Sequence, residues 1–86
     1  MKLKPDFLLR EVAGETVVLP MGSAMELNMM ITLNETGKFL WQRLEQETDE
    51  DTLVAALLEE YDVDEAAART HVQAFVAKLR QHEFLA

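Results

Sequence analysis

The chain has 86 residues, a formal net charge of -8, 49% hydrophobic residues and no cysteine. This length accommodates one small domain, whose core must form without help from disulfides or thiolate-bound metal. The charge is concentrated, with ten acidic residues and no Lys or Arg between Glu45 and Glu65, which argues against a polyanionic partner because nucleic-acid affinity rests mainly on phosphate neutralisation.

The N-terminal MKLKPDFLLREVAGETV has apolar stretches cut by Asp6, Arg10 and Glu11, too short for the core of a signal peptide. No run approaches the roughly 20 apolar residues of a membrane span, so the chain reads as soluble and cytoplasmic. Phe7 to Val12 and Thr16 to Pro20 are rich in Val, Leu and Phe and flank AGE, where Gly14 supplies the positive φ of a hairpin turn. Pro20, Gly22 and Ser23 break the pattern. Leu27 to Leu33 then alternates as a third strand, with Leu27, Met29, Ile31 and Leu33 on one face and Asn28, Met30 and Thr32 on the other.

Asn34 is a suitable N-cap for a first helix running from Glu35 to about Gln46, with Gly37, Leu40, Trp41 and Leu44 on its inner side. A glycine one turn into a helix costs about 1 kcal/mol relative to alanine and implies that a strand or helix passes close by. Thr48 and Asp51 approximate a capping box for a second helix with Leu53, Val54, Leu57, Leu58 and Tyr61 on its apolar face. Asp64 caps a third helix, Glu65 to about Gln81, which buries Ala68, Val72, Phe75, Val76 and Leu79. The expected fold class is α+β, three antiparallel strands followed by three helices in the order β-β-β-α-α-α.

Catalytic and metal chemistry find little support. His71 and His82 lie in one predicted helix, roughly 16 Å apart at 1.5 Å per residue, too far to share an ion. Adjacent acidic residues such as Glu59 and Glu60 point apart on a helix and read as a solvated face. Ser23 is the only serine and the glycines are scattered, so neither a nucleophilic triad nor a phosphate loop can be built. No enzyme activity, cofactor or metal site is expected.

A binding surface remains. If the first helix leaves directly from the end of the third strand, that strand borders the sheet, and its unpaired N–H and C=O groups can accept an extended peptide. Met25, Met29 and Met30 cluster on or beside it, although methionines at such spacing also serve as core filler. The third helix offers a wall with two basic flanks: Arg69, Gln73, Val76 and Arg80 on one, and His71, Phe75, Lys78 and His82 on the other.

The segments FLLREVAGETVVLP, LNMMITLNETGKFLWQRL, LLEEYDVDEAAA and VQAFVAKLRQHEFL, in this order and spacing, resemble the PqqD family, whose namesake serves in pyrroloquinoline quinone biosynthesis. The resemblance runs from about Phe7 to Leu85. It implies a winged-helix-like peptide chaperone that binds the leader segment of a ribosomally made precursor as an added strand and presents it to a modifying enzyme, commonly a radical SAM protein. By position, the strand contribution falls to Leu27, Asn28, Met29, Met30, Ile31, Thr32 and Leu33, and the helix contribution to Arg69, Val72, Gln73, Val76 and Arg80. The resemblance does not fix the product as pyrroloquinoline quinone. The competing expectation is a winged-helix DNA-binding regulator with the third helix as reader, and either a monomer or a homodimer is compatible with an open sheet edge. Trp41, close in sequence to the third strand, is expected to report on its occupation.

Overall fold

A computed structural model describes residues 1–21 and 31–86. Its elements are β1 (Phe7–Val12), β2 (Glu15–Pro20), β3 (Ile31–Leu33), α1 (Glu35–Leu44), α2 (Glu50–Glu60) and α3 (Glu65–Gln81). The expected α+β order therefore holds. The strands form one antiparallel sheet in the order β1-β2-β3, with Val12 opposite Glu15 and Thr16 opposite Leu33.

Between Val12 and Glu15 the chain reverses in two residues. Ala13 (φ 53) and Gly14 (φ 82) both take positive φ, the sign that a type I′ turn needs to match the twist of its strands. β2 thus starts at Glu15, one residue before the sequence suggested. Of the expected third strand, Leu27, Asn28, Met29 and Met30 lie outside the described residues.

Helix starts follow cap chemistry. The Gly37 N–H donates to Asn34 Oδ1 at 2.8 Å, and the Ala67 N–H to Asp64 Oδ1 at 2.7 Å, so both expected caps are in place. The second differs: Asp49, not Thr48, caps α2, accepting the Thr52 N–H at 2.8 Å. Thr48 is instead tied by its own N–H to the carbonyl of Met1 at 3.0 Å. α1 ends at Leu44 rather than Gln46, and Leu58, expected on the apolar face of α2, is 40% exposed because it lies 100° round the helix from buried Leu57.

The core gathers Val18 and Leu33 from the sheet, Leu40, Trp41 and Leu44 from α1, Leu53, Val54 and Leu57 from α2, and Ala68, Val72, Val76 and Leu79 from α3. Two further members, Leu3 and Phe84, come from the chain ends. Leu3 bridges Leu85 in an antiparallel pair. Around that bridge the Leu3 N–H reaches the Leu44 carbonyl, the Lys4 N–H the Phe84 carbonyl, and the Ala86 N–H the Lys2 carbonyl.

Phe84 is delivered by the way α3 ends. Glu83 takes φ 60, and the N–H groups of Glu83 and Phe84 return to the carbonyls of Arg80 and Leu79, the pattern of a Schellman cap. The Phe84 ring then lies edge-on to Phe7 (4.5 Å between centroids) and Trp41 (5.7 Å), with His82 stacked beside it at 5.7 Å. Burying such a ring contributes roughly 2–3 kcal/mol. None of the described helices is long and apolar enough to cross a membrane.

Candidate functional site

Hydrogen-bond parity in the sheet determines which backbone groups stay free. In a two-residue hairpin the residues flanking the turn form a hydrogen-bonded pair, so Val12 pairs with Glu15, and the bonded pairs then recur every second residue. The Met21 N–H to Asp6 carbonyl bond at 2.7 Å continues that series. Thr16 and Val18 therefore direct their N–H and C=O groups at Leu33 and Ile31. By the same alternation, Thr32 turns its N–H and C=O away from β2, to the side on which no strand lies among the described residues. Exposed Thr32 is flanked by half-buried Ile31 and buried Leu33.

Beside that edge lies a cavity of about 710 Å³, bounded by the hairpin turn, by Leu33 and Asn34 where β3 passes into α1, and by Phe75 and Lys78 of α3. A smaller cavity of about 200 Å³ extends it along α3 to His71. Gly37 lets the walls meet. A Cβ there would stand 3.3 Å from Phe75 Cε1 and 3.5 Å from the Leu33 Cβ, closer to Phe75 than an unrelieved contact allows. The sequence expectation that Gly37 marks a close approach is met by both neighbours at once.

The helix residues expected in the wall are placed differently. Val72 is 0% exposed and belongs to the core, so it offers nothing to a ligand in this conformation. Gln73, Val76 and Arg80 line a separate cavity of about 410 Å³, with Met1, Asp49 and Glu50 on its other side. Arg69 is engaged by α2: its guanidinium lies 2.7 Å from Glu50 Oε2 and 3.0 Å from Asp51 Oδ1, with Glu65 at 3.5 Å. Hydrogen bonds to Asp51 and then Glu50 raise its pKa further above an already high value. The flank Arg69–Gln73–Val76–Arg80 thus packs towards α2, and it is the opposite flank, His71, Phe75 and Lys78, that faces the β3 side.

The sequence held a sign of this choice. Gly37 and Leu33 lie next to one another across the strand-to-helix junction, and whichever residue of α3 filled the space left by a missing Cβ had to be on the groove side. Phe75, half-buried rather than fully buried, is that residue. At the mouth of the same cavity Lys38 is ion-paired with Glu11, and that contact holds the Glu11 carboxyl below its ordinary pKa. Lys78 makes no ion pair among the described residues. Trp41 is 2% exposed and packs on Phe84, and it opens towards a different cavity, beside β1. Proximity in sequence to β3 therefore does not make it a reporter of that edge.

Comparison with known proteins gives two kinds of match. Residues 15–85 match the family described as Coenzyme PQQ synthesis protein D (PqqD). The fold matches "TbiB1 in Complex with the TbiA(beta) Leader Peptide" with a TM-score of 0.80 at 24% identity, covering 99% of this chain and 94% of that one. It also matches "Lasso peptide synthetase B1 complexed with the leader peptide" with a TM-score of 0.76 at 22% identity, covering 94% and 91% of the two chains. No curated protein matches by sequence.

Proposed function

The chain belongs to the PqqD family, and on that premise we propose that it is a non-catalytic peptide chaperone. It binds the leader segment of a ribosomally synthesised precursor by strand addition at β3 and presents it to a separate modifying enzyme, of which a radical SAM protein is the foremost candidate. The observation that carries this reading is the coincidence of an outermost β3, whose Thr32 turns its backbone hydrogen-bonding groups outward, with the adjoining cavity walled by Phe75 and Lys78. Both solved structures of like fold hold leader peptides, as their descriptions state.

The chemistry follows from alternation. A peptide strand lying beside β3 exchanges hydrogen bonds with Thr32, and its residues opposite Ile31 and Leu33 point to the helix side, where Phe75 and Lys78 meet them. Main-chain bonds supply affinity with little sequence preference. Side chains entering the cavity supply selection. In this reading the groove wall is the His71–Phe75–Lys78 flank instead of Arg69–Arg80.

The DNA-binding alternative loses support from the same geometry, since Arg69, one of three Lys or Arg residues in α3, is occupied by Glu50, Asp51 and Glu65. The reading places the chain in the cytoplasm and assigns it no covalent step of its own.

The test is amide hydrogen exchange with a leader peptide encoded near this gene. Binding should slow exchange at Thr32 by about tenfold or more, while Ile31 and Leu33, already bonded to β2, change little. Protection that avoids β3 and the Phe75 flank would overturn the assignment.

A further inference from the structure

The groove beside β3 is lined by two lysines, Lys38 and Lys78, and only one of them is neutralised. Lys38 is ion-paired with Glu11. Lys78 is exposed and makes no ion pair among the described residues, in a chain with 16 acidic side chains against 8 Lys and Arg. On the other flank of the same helix, Arg69 is held by Glu50, Asp51 and Glu65 together. A cation left without a partner where carboxylates are in excess is available to a ligand.

The carboxylates of the groove lie to one side. Glu15 and Glu35 line the larger cavity, at the hairpin turn and the start of α1. The smaller cavity shares Gly37, Phe75 and Lys78 with it, and among the described residues no acidic side chain lines that part; Thr36, His71 and Ala74 do. An anionic side chain can therefore approach Lys78 along α3, beside the ring of Phe75, without facing a carboxylate.

We propose that Lys78 makes the groove selective for an acidic leader peptide, one carboxylate of which pairs with its ammonium group while an apolar side chain of the same peptide covers Phe75. This rests on the assignment of the groove to a leader peptide and adds what that peptide must carry. Alternation restricts the placement. Only every second residue of an added strand points to the helix side, so the carboxylate and the apolar residue stand an even number of positions apart. The attraction is local: a net charge of -8 repels an acidic peptide at long range, whereas a pair covered by the bound strand is little screened.

Calorimetric titration of the full chain with the synthetic leader peptide of the precursor encoded nearest this gene tests the selection, together with versions of that peptide in which each Asp or Glu is replaced in turn by Lys. Lys78→Glu should weaken binding of the natural leader by about fivefold or more. One Lys-bearing version of the peptide should bind Lys78→Glu more tightly than it binds wild type, and its altered position should lie an even number of residues from the apolar residue that couples to Phe75→Ala. Arg80→Glu changes the net charge equally on the flank turned away from β3, and should alter affinity by less than about twofold. Both side chains are exposed, and circular dichroism checks that both variants are folded. Amide exchange at Thr32 separates this proposal from the reading on which it rests. A leader that protects Thr32 but has no carboxylate coupled to Lys78, couples through one at odd spacing, or is weakened as much by Arg80→Glu overturns the acidic selection and leaves strand addition standing. A leader that fails to bind, or binds without protecting Thr32, overturns both.

Discussion

A Cβ on Gly37 would stand 3.3 Å from Cε1 of Phe75, so the first turn of α1 and the middle of α3 touch through a gap that only glycine leaves open. The contact joins the strand-to-helix junction to the helix that walls the groove. Stability and binding should therefore separate when it is disturbed.

Gly37→Ala gains about 1 kcal/mol of helix propensity and loses a comparable amount by crowding Phe75 and Asn34 Oδ1, the latter 3.1 Å from the added carbon. The thermal midpoint should move little. Peptide affinity should fall several-fold, because Phe75 is displaced into the cavity. Calorimetric titration alongside thermal unfolding reads the two effects on one sample.

The two flanks of α3 should respond in opposite ways. Phe75→Ala removes an aromatic wall and should cost about 2 kcal/mol of peptide affinity. Arg69→Gln should instead lower the thermal midpoint, by freeing Glu50, Asp51 and Glu65 from their shared cation, with affinity within about threefold of wild type. An affinity loss confined to Arg69→Gln would return the groove to the other side of the helix.

Phe84 is 1% exposed although it is the third-last residue, a position where truncation is usually harmless. Phe84→Ala should nevertheless cost about 3–5 kcal/mol, since its ring fills the space between Phe7 and Trp41. Denaturant unfolding measures the loss directly. For a domain this small it is a large share of the total.

Acid should destabilise the protein through identifiable carboxylates. Hydrogen bonding from Thr52 holds Asp49 below its ordinary pKa, and Lys38 does the same for Glu11, by its hydrogen bond first and its charge second. A pKa depressed in the folded state contributes stability that is complete above the unfolded value, near 4, and lost as pH falls through the lower folded value. The urea midpoint should be flat from neutral pH to about 5 and decline below about 4. Asp49→Ser, which keeps a neutral cap, should show a shallower decline.

Much of the architecture was legible in the chain because its determinants are local. Asn34 and Asp64 cap the helices expected of them, Gly14 supplies a turn with positive φ, and periodicities of two and 3.6 mark strands and helices. Asp49 displaced Thr48 as the α2 cap because Met1 returns to that point from the far end of the chain, a contact to which no local pattern refers. Phe84 stayed hidden for the same reason: only the αL residue Glu83 and the bridge from Leu3 to Leu85 bring it inside.

The site divides along the same line. Sequence alone determined that the strand ending at Leu33 passes through Asn34 into a helix, and hence that it can border the sheet. It did not determine which basic flank of α3 meets that border, because helical periodicity describes α3 by itself and both flanks satisfy it equally. Tertiary structure decided this through two long-range facts: Arg69 is drawn to the acidic start of α2, and Phe75 fits over the hydrogen of Gly37. Together they set the rotation of α3 about its own axis, placing Phe75 and Lys78 beside β3 and turning Gln73 and Arg80 away.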